Sequence, residues 1–217
     1  MTELKDPKEK TWMQKWGVPL GVGATAGFLS SFVALQFIDS DSIGGLSTSS
    51  EIALLVALIY MITAVAVLVG MASPSLGEKF LNVEDADELR EQRSVLLYSG
   101  IAMTLWALAL GALAFAGPEG ILENPPALAG AGLAMLVGLG FAWKSYTLSD
   151  ELMNAVNMEA TAISYFMTFL VLGTWALLAH TEIMSGPAPL DMLTTFYVVA
   201  LAATFIAAGR RGMLNQR

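Results

Sequence analysis

Long apolar runs alternate with short polar stretches along the whole chain. Six runs of 18 to 23 residues contain no Asp, Glu, Lys or Arg, and they cover residues 17–38, 52–73, 95–117, 126–143, 160–179 and 192–209. A helix of about 20 apolar residues spans the hydrocarbon core of a bilayer, since each helical residue rises about 1.5 Å. The pattern therefore predicts an all-α integral membrane protein with six transmembrane helices and short loops.

Composition supports one membrane domain over the whole chain, residues 1–217. Apolar residues make up 55% of the sequence and charged residues only 14%. The longest polar stretch between two spans, residues 74–94, is shorter than the roughly 50 residues that a domain with its own core needs. A soluble catalytic or nucleotide-binding domain is therefore excluded between the spans.

Two polar segments have helical signals of their own. In residues 1–16, Asp6 is an N-cap candidate, and Trp12 and Trp16 lie one helical turn apart, which predicts an interfacial amphipathic segment. Residues 74–94 carry acidic residues first and arginines last, an order that the helix dipole favours. This segment is predicted to be an acidic, helical, cytoplasmic loop.

Basic residues are confined to alternate loops. All 11 Lys and Arg residues lie before the first span, between spans two and three, between spans four and five, or after span six. The remaining loops, residues 39–51, 118–125 and 180–191, contain none. Because Lys and Arg in short loops stay inside, both termini are predicted to be cytoplasmic, in what would be a bacterial cytoplasmic (inner) membrane.

The fifth helix carries polar side chains along one face. The pattern Thr147-Leu148-Ser149-Asp150 is typical of a capping box and predicts a helix from near Leu148 to about His180. Along it, polar residues recur at spacings of three and four, which places them on one face: Asn154, Asn157, Thr161, Ser164 and Thr168. Interhelical hydrogen bonding is the favoured explanation of this face, and a lined pathway is the alternative.

Glycine is concentrated in two spans. Small residues let helices approach closely in lipid, where apolar surface gives them little reason to associate. Helix packing is therefore predicted at Gly17, Gly21, Gly23 and Gly27 of span one and at Gly130, Gly132, Gly138 and Gly140 of span four.

Residues that could support chemistry are few. The chain has no cysteine and one histidine, His180, so thiolate and multi-histidine metal sites are excluded. The ionisable residues nearest the membrane interior lie at span edges, where an ion pair between Lys144 and Glu159 is a structural candidate. No cofactor, metal site or catalytic residue is predicted, and the protein is not expected to be an enzyme.

Two functions fit these observations. The favoured one is a non-enzymatic accessory, assembly or scaffold protein of the inner membrane that acts through helix packing. The alternative is a small oligomeric transporter or channel with a path along the polar face of the fifth helix. The expected partners are the lipid bilayer and either other membrane-protein subunits or further copies of the chain. A net charge of −8 argues against nucleic acid.

Overall fold

A computed structural model describes residue 36 and residues 46–73, 91–117 and 120–213. Within these ranges the chain forms five long helices and no strand: α1 (Thr48–Ala72), α2 (Arg93–Ala114), α3 (Asn124–Leu148), α4 (Glu151–His180) and α5 (Pro189–Arg210). All five are long and apolar enough to cross a membrane. The all-helical membrane prediction is thus confirmed for spans two to six.

Several predictions fall outside the described residues. They concern the first span at residues 17–38 with its four glycines, the interfacial segment at residues 1–16, and nearly all of the acidic loop at residues 74–94.

The five helices alternate in direction. The Ser145 hydroxyl near the end of α3 donates a 3.0 Å hydrogen bond to the Val95 carbonyl near the start of α2. Arg211, just after α5, contacts Glu159 near the start of α4. Alternation brings the described Lys and Arg residues to one end of the bundle, here called the basic end: Arg93, Lys144, Arg210 and Arg211.

The opposite end of the bundle carries acidic residues. Among the described residues, this acidic end holds Glu51, Glu123, Glu182 and Asp191 and no Lys or Arg. The confinement of Lys and Arg to alternate loops, which the sequence predicts, therefore places these residues at one end of the described bundle.

The best-packed part of the bundle surrounds α2, which packs against both α1 and α3. Leu110 of α2 is fully buried and belongs to a cluster with Ala53 and Ala57 of α1 and with Tyr197 of α5. Alanine dominates this contact because its small side chain lets two helix backbones approach closely. In the described part of the chain, α4 packs mainly against α5, so these two helices form a second hairpin beside the first three helices.

The predicted fifth helix is α4 of the structure, and its start differs from the prediction. Helix α3 continues through Leu148, and the Thr147 hydroxyl bonds to the Lys144 carbonyl of its own last turn, at 2.9 Å. The N-cap of α4 is Asp150, whose carboxylate accepts a 2.7 Å hydrogen bond from the Met153 amide. The predicted cap at Thr147 is wrong, because Asp150 offers the same bond three residues later and lets α3 run longer.

The four glycines of span four, which is α3 of the structure, differ in how closely a neighbouring helix approaches them. A side chain built on Gly138 would lie 2.6 Å from the Trp106 indole nitrogen, so α2 and α3 approach closely at this residue. A Cβ added at Gly130, Gly132 or Gly140 would have no described atom within 4 Å. Of the four glycines predicted to mediate helix packing in this span, only Gly138 therefore lies in close contact with another described helix.

Candidate functional site

The polar face of α4 borders a cleft between the two helix groups. Four of its five residues, Asn157, Thr161, Ser164 and Thr168, line this space of about 670 Å³, here called the α4 cleft. They line it together because spacings of three and four keep them on one side of the helix. The periodicity of the sequence thus grouped these four residues on one face of α4, and the structure shows that this face borders the α4 cleft.

Asn154, the fifth residue, does not line the cleft. Its side-chain amide donates a 3.1 Å hydrogen bond to the Ser149 carbonyl, next to the N-cap of α4. Its side-chain oxygen is buried and accepts no hydrogen bond from the described residues. Asn154 therefore belongs to the junction between α3 and α4.

Few hydrogen bonds join the polar face to other helices. The Thr161 hydroxyl donates to the Asn157 carbonyl of its own helix, at 2.8 Å. Within the described ranges, the side chains of Asn157, Ser164 and Thr168 have no hydrogen-bond partner. Interhelical hydrogen bonding, the favoured explanation of this face, is therefore not observed for the four cleft residues among the described helices.

The other walls of the cleft come from three helices. They are formed by Ser99, Ala102, Met103 and Trp106 of α2, Ala142, Ser145 and Tyr146 of α3, and Phe196, Ala200 and Thr204 of α5. The Ser145 and Thr204 hydroxyls already donate to main-chain carbonyls, at 3.0 and 2.9 Å, and keep their capacity to accept. Polar residues thus make up most of the α4 wall, whereas the opposite walls are mainly aromatic and aliphatic and include three serine or threonine hydroxyls.

A chain of hydrogen bonds crosses the bundle where the cleft ends. The Tyr60 phenol of α1 donates to the Tyr197 carbonyl at 2.8 Å, and the Tyr197 phenol donates to the Trp106 carbonyl at 3.2 Å. The Trp106 indole donates in turn to the Met135 carbonyl of α3, at 3.4 Å. These bonds join four helices through one layer of aromatic side chains, here called the aromatic layer.

Two further cavities lie beyond the α4 cleft. A small apolar one of about 360 Å³ shares Trp106, Phe196 and Ala200 with the cleft and also contacts Tyr60 and Tyr197. A larger one of about 850 Å³ lies at the acidic end, where Ser47, Asn124 and Pro189 belong to its wall. The aromatic layer therefore stands between the α4 cleft and the acidic end of the bundle.

The predicted pair between Lys144 and Glu159 is replaced by a different one. The two carboxylate oxygens of Glu159 contact Arg210 at 3.2 Å and Arg211 at 2.9 Å. Glu159 points toward these arginines because α4 packs on α5 through neighbouring residues of the same side, Val156 and Ala160. The pair joins the start of α4 to the end of α5 at the basic end of the bundle.

Charged side chains are absent from the described lining of the α4 cleft, which contains hydroxyl, amide, aromatic and aliphatic groups. At the acidic end, Asp191 has a structural role, since its carboxylate accepts a 2.9 Å hydrogen bond from the Ala188 amide and caps α5. The cleft can therefore bind a ligand by hydrogen bonding and apolar contact.

No protein-family model, no curated protein and no solved structure matches this chain. Functional inference therefore rests on the geometry of the cleft and of the aromatic layer.

Sequence reasoning did not identify the aromatic layer. One signal was present: Tyr60 and Tyr197 lie well inside apolar runs, whereas tyrosine in membrane proteins is enriched at the two interfaces. A phenol at membrane depth needs a hydrogen-bond partner, so each of these residues indicates a specific contact. The identity of the partners, both main-chain carbonyls, depends on how the helices pack.

Proposed function

We propose that the protein is a small membrane transporter or channel that lets an uncharged solute cross the bilayer without chemical change. The proposed path begins in the α4 cleft and passes the aromatic layer toward the cavity at the acidic end. The observation that carries this proposal is that the polar face of α4 lines a cleft of about 670 Å³.

Polar groups without a hydrogen-bond partner at membrane depth favour a transport path, rather than helix packing, as the role of the polar face of α4. In hydrocarbon, a hydroxyl or amide without a partner costs free energy, so such groups face protein, water or a ligand. Ser164 and Thr168 have no partner among the described helices, although both line the cleft. Water or a solute in the cleft would satisfy them.

The absence of charge from the described lining of the cleft favours an uncharged solute. Proton- or ion-coupled transporters place ionisable residues at membrane depth, where they bind the coupling ion. Downhill movement of a neutral molecule needs no such residue, because its own concentration gradient drives it. The proposed transport is therefore passive.

Cysteine accessibility tests this path directly, because the chain contains no native cysteine. Single cysteines at Thr161, Ser164 and Thr168 should react with a small water-soluble methanethiosulfonate reagent in the folded protein reconstituted into vesicles. Matched cysteines at Phe166 and Leu170, which are exposed on other sides of α4, should stay unreacted in lipid. If the cysteines on the cleft face reacted as little as the cysteines at Phe166 and Leu170, the proposed path would be rejected.

A second candidate function is the non-enzymatic accessory, assembly or scaffold role. It is supported by a group of exposed aromatic side chains on α4, where Tyr165, Phe166 and Phe169 are each about 70% exposed. Aromatic residues are enriched in the contact regions of protein interfaces. Affinity purification from native membranes tests this role, since stoichiometric co-purifying subunits would support it and a protein without partners would favour transport.

A bacterial inner membrane with cytoplasmic termini is part of the proposal. The separation of a basic and an acidic end supports this orientation, because basic residues are retained on the cytoplasmic side.

A further inference from the structure

We infer that the α4 cleft binds an uncharged amphipathic molecule, with hydroxyl or carbonyl groups along one edge and an apolar body, which enters from the bilayer between α3 and α4. This inference rests on the proposed function and specifies its substrate class. Three properties of the cleft lead to it: its two unlike walls, its neutral lining and its open side.

The two walls of the cleft bind different chemical groups. On α4, the hydrogen-bonding side chains from Asn157 to Thr168 extend over about 16 Å, at about 1.5 Å per residue. Opposite them lie mainly apolar and aromatic side chains, Met103, Trp106 and Phe196 among them, together with three serine or threonine hydroxyls. A ligand that matches both walls carries several oxygen atoms on one edge and a hydrocarbon surface on the other.

The size and charge of the cleft narrow the ligand class further. Its volume of about 670 Å³ lies within the range of sites that bury a small organic molecule. A charged group in such a cleft would lose its hydration at membrane depth without gaining a counter-charge from the described lining. Phosphate, carboxylate and ammonium groups are therefore disfavoured relative to hydroxyl and ester groups.

Among the described helices, the cleft is open between α3 and α4. Helices α3 and α4 are joined directly through Ser149 and Asp150, yet they do not pack along their lengths in the described structure. Tyr146 of α3 and Tyr165 of α4 both line the cleft, and both are exposed. Tyrosine has an apolar ring and a polar tip, which suits the edge of an opening between lipid and a polar wall.

Photolabelling in vesicles tests the inference with a matched pair of probes. A monoacylglycerol with a diazirine in its acyl chain supplies two hydroxyls and an ester, and the corresponding lysophosphatidate carries a charged phosphate in place of one of these hydroxyls. We expect saturable labelling of cleft residues such as Met103 and Tyr165 by the neutral probe, at least about tenfold above the phosphorylated one. Equal labelling by the two probes would overturn the inference.

Two substitutions on α4 supply the matched variants. Ser164→Phe fills the cleft and should abolish saturable labelling, whereas Ala162→Phe adds the same ring on an exposed side of the helix and should leave it intact. Thr168→Val removes a hydroxyl at nearly constant shape and should weaken labelling even if Ser164→Phe does not fold. Unchanged labelling in both Ser164→Phe and Thr168→Val would also overturn the inference.

Failure of this inference can be distinguished from failure of the transport proposal. Cleft cysteines that react with the water-soluble reagent, together with equal labelling by the two probes, would retain the path and reject this ligand class. Selective labelling by the neutral probe with unreactive cysteines would support the binding site and reject an aqueous path.

Discussion

The Tyr60 phenol of α1 donates a 2.8 Å hydrogen bond to the main-chain carbonyl of Tyr197 in α5, 137 positions further along the chain. Their rings also meet edge to face, with centroids 5.1 Å apart and an angle of 63° between the ring planes. Because Tyr197 bonds in turn to the Trp106 carbonyl of α2, this contact connects the α4–α5 hairpin to the first three helices. Through it the aromatic layer sets the position of one wall of the α4 cleft relative to the other.

Removal of the Tyr60 hydroxyl should loosen that connection. We expect Tyr60→Phe to lower the free energy of unfolding by about 0.5–1.5 kcal/mol, since the ring contact survives and one buried hydrogen bond is lost. Thermal unfolding in mild detergent measures the change. Tyr98→Phe is the control, because Tyr98 stacks on Phe141 and its hydroxyl has no partner among the described residues. A loss as large in the control would show that the hydrogen bond is not the cause.

The contact between α2 and α3 at Gly138 gives a second prediction. Gly138→Leu should sharply reduce the yield of folded protein, because even a Cβ there would lie 2.6 Å from the Trp106 indole nitrogen. Gly132→Leu, six residues earlier on the same helix, should be tolerated, since its Cβ would meet no described atom within 4 Å. Size-exclusion chromatography in mild detergent gives both yields. Normal yield from Gly138→Leu, or equal losses from both variants, would contradict the assignment.

The corrected start of α4 can be tested at its cap. We expect Asp150→Ala to destabilise the protein by about 1 kcal/mol, because the Met153 amide loses the carboxylate that accepts its 2.7 Å hydrogen bond. Thr147→Ala should have little effect, since Thr147 bonds within the last turn of α3. Thermal unfolding followed by circular dichroism compares the two variants. A larger loss for Thr147→Ala would restore the cap that the sequence indicated.

The proposed orientation predicts a pattern of labelling in intact cells. Cysteines at Ser47 and Ser185, both exposed at the acidic end, should react with a membrane-impermeant maleimide. Cysteines at Thr147 and Glu151, exposed at the basic end, should react only after the membrane is permeabilised. The reverse pattern would place the termini outside the cell.

The sequence alone determined spans two to six and the end of the bundle that holds the Lys and Arg residues, because both follow from local properties. A span depends on the hydropathy of about 20 consecutive residues, and the ends follow from where Lys and Arg lie between spans. The polar face of α4 was also predictable, since Asn157, Thr161, Ser164 and Thr168 share one side of any regular helix. In each case the relevant residues are neighbours in the chain.

Only the tertiary structure decided which surfaces meet. Four glycines of span four look alike in sequence, yet among the described helices only Gly138 lies against a neighbour, because it alone faces Trp106. Glu159 is close to Lys144 in the chain but pairs with Arg210 and Arg211, since α4 packs on α5. The bond from Tyr60 to Tyr197 likewise depends on the relative position of α1 and α5. Apolar spans can pack in many arrangements of similar hydropathy, so side-chain shape and hydrogen bonding select one of them.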